Sequence, residues 1–193
     1  MAEPVILLAG PDPRALKDFF GELTSEVFDQ LAIQDGAIVE YVSGVLAEFA
    51  RSERLYRITD LAGKPIESLV EMLVGDTIAE QSGEAKHRDF RRYIGDFTLF
   101  MSGLFRDFVE RHGSLDHYVA EGQRSYRRVA EVEARIASLE APMYRDLAER
   151  FVYYSGALDF MRKTRFFRQE AALPLLTFAE EIARRMGTEK TMH

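Results

Sequence analysis

Residues 88–110 read RDFRRYIGDFTLFMSGLFRDFVE, and the fold turns on this stretch. Phe90, Tyr93, Ile94, Phe97, Met101, Leu104, Phe105 and Phe108 recur at three- and four-residue steps, which places them on one face of an α-helix. Gly95, Leu99 and Ser102 lie roughly opposite Phe97, and Phe100 fills a flank. A helix that is apolar on two sides at its centre and charged at both ends is the buried central helix of a bundle. The spacing predicts that helix over about residues 84–111. Gly95, Ser102 and Gly103 within it predict close approach of neighbouring helices, because a helical glycine costs about 1 kcal/mol relative to alanine.

Toward the N-terminus, Asp12-Pro13 supplies a capping carboxylate and a proline at the first helical position. Leu16, Phe19, Phe20, Leu23, Val27 and Leu31 follow at helical spacing. Asp35 caps a second helix whose inward face is Ile38, Tyr41, Val42, Val45 and Phe49. Residues 52–65 break the pattern. Positions 54–59 alternate weakly and Gly63-Lys64-Pro65 marks a turn, so the segment reads as a long connection, either loop or extended. A third helix is predicted over 67–81 with Leu69, Met72, Leu73 and, unusually, Asp76 facing inward.

Toward the C-terminus, His112-Gly113 ends the central helix and Ser114 caps the next, whose face is Leu115, Tyr118, Val119, Gly122, Tyr126, Val129 and Ile136. Ala141-Pro142 opens a helix that turns Tyr144, Leu147, Phe151, Tyr154, Ser155 and Leu158 inward. A last helix reaches Arg185 or Met186, with Phe178, Ile182 and Met186 inward. The expectation is one all-α domain over residues 1–187, a bundle of six or seven helices, with residues 188–193 as a disordered tail.

The chain of 193 residues is 47% apolar and 30% charged, enough to build a core, and its net charge of −7 argues against nucleic acid as a partner. It contains no cysteine, which excludes disulfides and thiolate chemistry and fits a cytoplasmic location. No run approaches the roughly eighteen apolar residues needed to cross a bilayer, so no membrane role is expected.

Phosphate-binding glycine loops, paired-histidine zinc helices and nucleophile elbows are absent from the sequence. Glu84-Ala-Lys-His87 has the Glu-x-x-His spacing of di-iron bundles, but it occurs once where those sites need two, and it reads as a solvated surface pair. His112, Asp116 and His117 read as helix-end chemistry. Neither a metal ligand set nor a cofactor is expected. Arg162, Lys163, Arg165 and Arg168, interleaved with Phe166 and Phe167, form the most basic segment and a candidate anion-binding site. The inward tyrosines need hydroxyl partners, and the inward carboxylates supply them. Asp76, Tyr93, Asp96, Tyr126 and Tyr154 are therefore a candidate ligand-binding cluster, with Arg124 as a further partner for Asp96.

The phrase YIGDFTLFMSGLF, residues 93–105, resembles a helix of uncharacterised bacterial proteins, and no function comes with it. Tyr93-Ile94-Gly95-Asp96 is also similar to the Gly-Asp opening of the distal helix of haem oxygenases. There Leu-Ser-Gly-Gly follows and an N-terminal helix supplies a histidine; here Phe97-Thr98-Leu99 follows and the first helix has none. The expected function is binding of a partner protein or small ligand between the helices, without catalysis and compatible with a homodimer. The alternative is a helical-bundle oxidoreductase working through a bound metal or haem-like cofactor, using Asp76, Asp96, His87 and nearby tyrosines.

Overall fold

The computed structural model describes residues 13–49, 69–112 and 114–166. They form α1 (Pro13–Gln30), α2 (Gly36–Phe49), α3 (Leu69–Gln81), α4 (Glu84–Leu104), α5 (Arg106–His112), α6 (Leu115–Arg135), α7 (Ala141–Glu149) and α8 (Phe151–Met161). A π-helical turn, Arg162–Phe166, continues α8. The fold is all-α, with no strand among the described residues. The predicted connection at 52–65, the last helix and the tail at 188–193 lie outside them.

Local chemistry sets several of the boundaries. Asp35 Oδ1 accepts from the backbone N–H of Ala37 at 2.9 Å and of Ile38 at 3.3 Å, and Ser114 Oγ accepts from His117 N at 3.3 Å. Gly83 precedes α4 at φ 112°, a conformation that side chains with a Cβ rarely adopt. α1 and α6 end differently, with Ala32 and Ala137 in the left-handed region at φ 58° and 54°. Backbone bonds close each end, Ile33 N to Phe28 O at 2.8 Å and Ser138 N to Glu133 O at 2.9 Å.

α4 is the axis of the bundle, and every residue from Ile94 to Leu104 is buried. It packs on α6 along one side and on α8 along another, with α3 and α2 also against it. Its small residues sit at these contacts. A Cβ on Gly95 would lie 2.8 Å from the Tyr126 ring, and one on Gly103 would lie 2.5 Å from Leu158 Cβ. Ser155 Oγ lies 3.0 Å from Ser102 Oγ, so a polar pair joins α8 to α4 inside the core.

The central helix is not continuous to residue 111. It breaks at Phe105, whose backbone swings to φ −117°, ψ 29°. The Ser102 carbonyl beside the break accepts from Arg106 Nε at 3.2 Å and Ser155 Oγ at 3.1 Å. Side chains thus supply hydrogen bonds at a break that directly follows the Ser102-Gly103 pair. The helix expected from Ala141 onward also divides, at Arg150 (φ −106°, ψ 21°), where the guanidinium lies 4.8 Å from the ring centre of Tyr153. Two expected inward residues face out: Phe19, and Ile136 just beyond the end of α6.

Candidate functional site

Two polar clusters flank α4, and an apolar groove lies on the outer side of α8. The first cluster centres on Asp96. Its Oδ1 accepts from Tyr41 Oη of α2 at 2.6 Å and from Tyr126 Oη of α6 at 2.8 Å. The Tyr144 ring of α7 lies edge-on to Tyr41, with centroids 5.3 Å apart. Arg92, one turn before Asp96, places its positive charge near the carboxylate and hydrogen-bonds Tyr144. Burial pushes the Asp96 carboxyl up to about 7, although the two tyrosine hydrogen bonds and Arg92 favour the charged form. Burial, and then the Asp96 charge, hold the Tyr41 and Tyr126 phenols well above the ordinary value.

The second cluster ties α3 to α4 and α6. Arg91 reaches Asp76 Oδ2 with Nη2, while its Nη1 lies 3.7 Å from Glu121 Oε2. Glu121 Oε1 is held by Arg124. His87 Nε2 is 3.0 Å from Asp76 Oδ1 and 3.5 Å from Arg91 Nε. Only one of these can be a hydrogen bond of a neutral ring, because Nε2 either donates or accepts. A proton on Nε2 gives the shorter contact and satisfies the otherwise unpartnered Asp76 Oδ1.

The structure therefore divides the five residues expected to cluster together. Asp96 and Tyr126 meet. Asp76 does not join them, because its partners His87 and Arg91 lie earlier on α4; His87 is nine residues before Asp96, about 13 Å along the helix axis. Tyr93 packs on Phe49, with ring centroids 5.6 Å apart. Tyr154 donates to Asp146 on α7 and stacks on Phe28. Arg124 serves Glu121 instead of Asp96. Sequence reasoning omitted Tyr41 and Arg92, and turned Tyr144 inward without counting it among the five. The available signal was that the inward face of α2 carries a tyrosine, Tyr41, and that Arg92 stands one turn before the one carboxylate at the apolar centre of α4.

The Glu84–His87 surface pair is also revised. His87 is buried against Asp76, and Glu84 pairs with Arg135. Among the described residues no group of three or more His, Asp or Glu side chains is placed to hold a metal ion. In the basic segment, Arg162 pairs with Asp107 at 3.1 Å and Asp159 at 2.9 Å, Lys163 with Asp159 at 2.6 Å, and Arg165 with Glu26 at 2.6 Å. Burial raises the Asp159 carboxyl, but the bonds from Lys163 and Arg162 outweigh it and hold it below the ordinary value. These three cations are thus engaged by carboxylates of the same chain; Arg168 lies outside the described residues.

The outer face of α8 forms an apolar groove of about 590 Å³, lined by Leu31, Val152, Tyr153, Gly156, Ala157 and Phe160, with Glu149 and Arg150 at one end. Val152, Tyr153 and Phe160 are 57%, 40% and 37% exposed. Tyr153 Oη donates to the Leu31 carbonyl at 2.5 Å, fastening the groove wall to the end of α1. The sequence reading named only the inward residues of this segment and did not single out its outer face. Comparison with protein-family models, curated proteins and solved structures finds no match to the chain.

Proposed function

We propose that this chain is a non-enzymatic helical domain that binds another polypeptide, and that the binding face is the outer side of α8. The observation that carries the reading is the run of Val152, Tyr153 and Phe160, three large apolar side chains open to solvent around one groove. Clustered apolar exposure marks an interaction surface more often than single exposed side chains do. The groove suits an amphipathic helix. Its stripe follows i, i+1, i+4 and i+8 along α8, and Gly156 at the centre leaves room for a second helix to approach. The reading departs from binding between the helices, since rings already occupy the space over Gly95 and Gly122. The oxidoreductase alternative required Asp76, His87 and Asp96 to act together, and two separate clusters do not support that. A cytoplasmic location is part of the proposal and rests on the absence of cysteine and the acidic balance.

The test uses a fluorescent synthetic helix carrying leucine at i, i+3, i+4 and i+7, followed by anisotropy. Val152→Asp/Phe160→Asp should weaken its binding by tenfold or more while the melting temperature stays put. Leu139→Asp, at a 97% exposed position outside the groove, should leave binding unchanged. No binding to the wild type, or equal binding to the double variant, would overturn the reading.

A further inference from the structure

We infer that His87 and Arg91 of α4 form a carboxylate-binding site, that Asp76 of α3 occupies it as an internal ligand, and that a carboxylate from outside competes for it. The site is separate from the α8 face and does not depend on it.

His87 and Arg91 stand four residues apart, so their side chains project from neighbouring turns of one helix face. Each takes one oxygen of the same carboxylate. His87 Nε2 lies 3.0 Å from Asp76 Oδ1, and Arg91 Nη2 donates to Asp76 Oδ2. Two donors on the two oxygens of a planar group recognise a carboxylate by shape as well as by charge. Asp76 and His87 are both buried, so the contact is made largely out of water, where such bonds are strong.

The charges around this pair call for a single anion. Glu121 lies behind Arg91, with Oε2 3.7 Å from Nη1, and Arg124 holds its other oxygen. Without Asp76, two guanidinium groups face one carboxylate, and Asp76 brings the sum to zero. Arg91 Nη1 and Glu121 Oε2 have no hydrogen-bond partner, so they are free to close on each other and keep the guanidinium in place when the ligand leaves. The Glu121 charge beside Nη1 also disfavours a dianion such as phosphate.

α3 carries its carboxylate on an arm that can move. It packs chiefly on α4, burying Leu69, Met72 and Asp76, while Val74 and Ile78 face solvent. Ser82-Gly83 joins it to α4, and Gly83 has the backbone freedom of a hinge. A small rotation there lifts Asp76 off His87 and Arg91. An outside ligand must displace a tethered group of high effective concentration. Its chemistry is a carboxylate, from either of two sources: a free organic acid anion, or the acidic side chain of a helix spaced like Leu69, Met72 and Asp76.

Full-length Asp76→Ala, titrated with formate against chloride at constant ionic strength, tests the site. The expected result is a saturable shift of the His87 ring signals by NMR and a rise in melting temperature, both lost in Asp76→Ala/Arg91→Gln. The wild type reports the competitor through amide exchange across α3, followed with formate and separately with a synthetic peptide of residues 69–81. Exchange accelerated about tenfold by formate identifies a free carboxylate as the ligand. Acceleration by the peptide alone, lost when its aspartate is replaced by asparagine, identifies an acidic helix. Formate that leaves Asp76→Ala unchanged, or acts equally on the double variant, would overturn the site. Exchange in α3 indifferent to both probes would show that Asp76 is a fixed contact and would overturn the competition. If Asp76→Ala does not fold, the wild-type exchange decides by the same criterion.

Discussion

Tyr126 lies across the Cα of Gly95, so close that a methyl group there would sit 2.8 Å from ring carbons Cδ1 and Cε1. The ring cannot easily retreat, because its hydroxyl is bonded to Asp96, the next residue on α4. Neighbouring residues thus fix one tyrosine from two directions. Gly95→Ala is expected to destabilise by about 1–3 kcal/mol through overpacking, and Gly95→Leu by more. Denaturant unfolding measures this directly, and an unchanged midpoint for Gly95→Leu would mean that α6 does not pack on α4 there.

The Asp76 network gives a second expectation. Asp76 and Glu121 are 6% and 3% exposed, and Arg91 lies between them. Removing one carboxylate leaves a largely buried guanidinium short of a partner. Asp76→Ala should cost about 3–5 kcal/mol, on the scale of broken buried ion pairs. Hydrogen exchange should show α3 loosening first, since Asp76 is its charged link to α4. Protection of α3 equal to wild type would contradict this.

The left-handed alanines offer a gain. Ala137 at φ 54° carries a Cβ in a conformation costing about 1–2 kcal/mol for an L-residue. Glycine loses more chain entropy on folding, so Ala137→Gly should give a net stabilisation of a few tenths to about 1 kcal/mol. Thermal unfolding should show a higher midpoint, and a lower one would mean that the end of α6 is held differently.

The all-α class and the buried middle of α4 were legible because apolar spacing over some twenty residues admits one regular structure. The helix start at Asp35 was legible from its capping chemistry. The breaks at Phe105 and Arg150 were not. Neither position carries glycine or proline, and the hydrogen bonds at the Ser102 carbonyl come partly from Ser155, 53 residues away. The site divided in the same way. That Asp96 needs hydrogen-bond donors or a positive partner follows from burial alone. Which tyrosines reach it depends on how α2, α6 and α7 pack around α4, and a shift of one turn along a helix axis exchanges one side chain for another. The α8 groove is a surface property, and inward periodicity does not show which outward residues a neighbouring element covers.

Asp96 carries the sharpest prediction about pH. Its carboxyl stands at about 7 in the folded chain against an ordinary 3.8, with burial as the leading cause. The folded state therefore holds a proton that the unfolded state releases between these values. The contribution to stability is fully present below about pH 4 and is lost as the pH rises through 7, amounting to several kcal/mol at about 1.4 kcal/mol per unit. Asp96→Asn removes the ionisation but keeps a carbonyl oxygen that accepts from Tyr41 and Tyr126. Its stability relative to wild type should rise with pH across this window, with Asn equal or better at pH 8. Asp96→Ala removes the acceptor, leaving buried hydroxyls unsatisfied at about 1–3 kcal/mol each, and should be the weaker variant at pH 5. Unfolding midpoints of the three proteins at pH 5 and pH 8 decide the matter, together with the NMR titration of the Asp96 carboxyl carbon. A titration near 4, or a difference between wild type and Asp96→Asn that does not change with pH, would show that this carboxylate is hydrated and that the tyrosines do not enclose it.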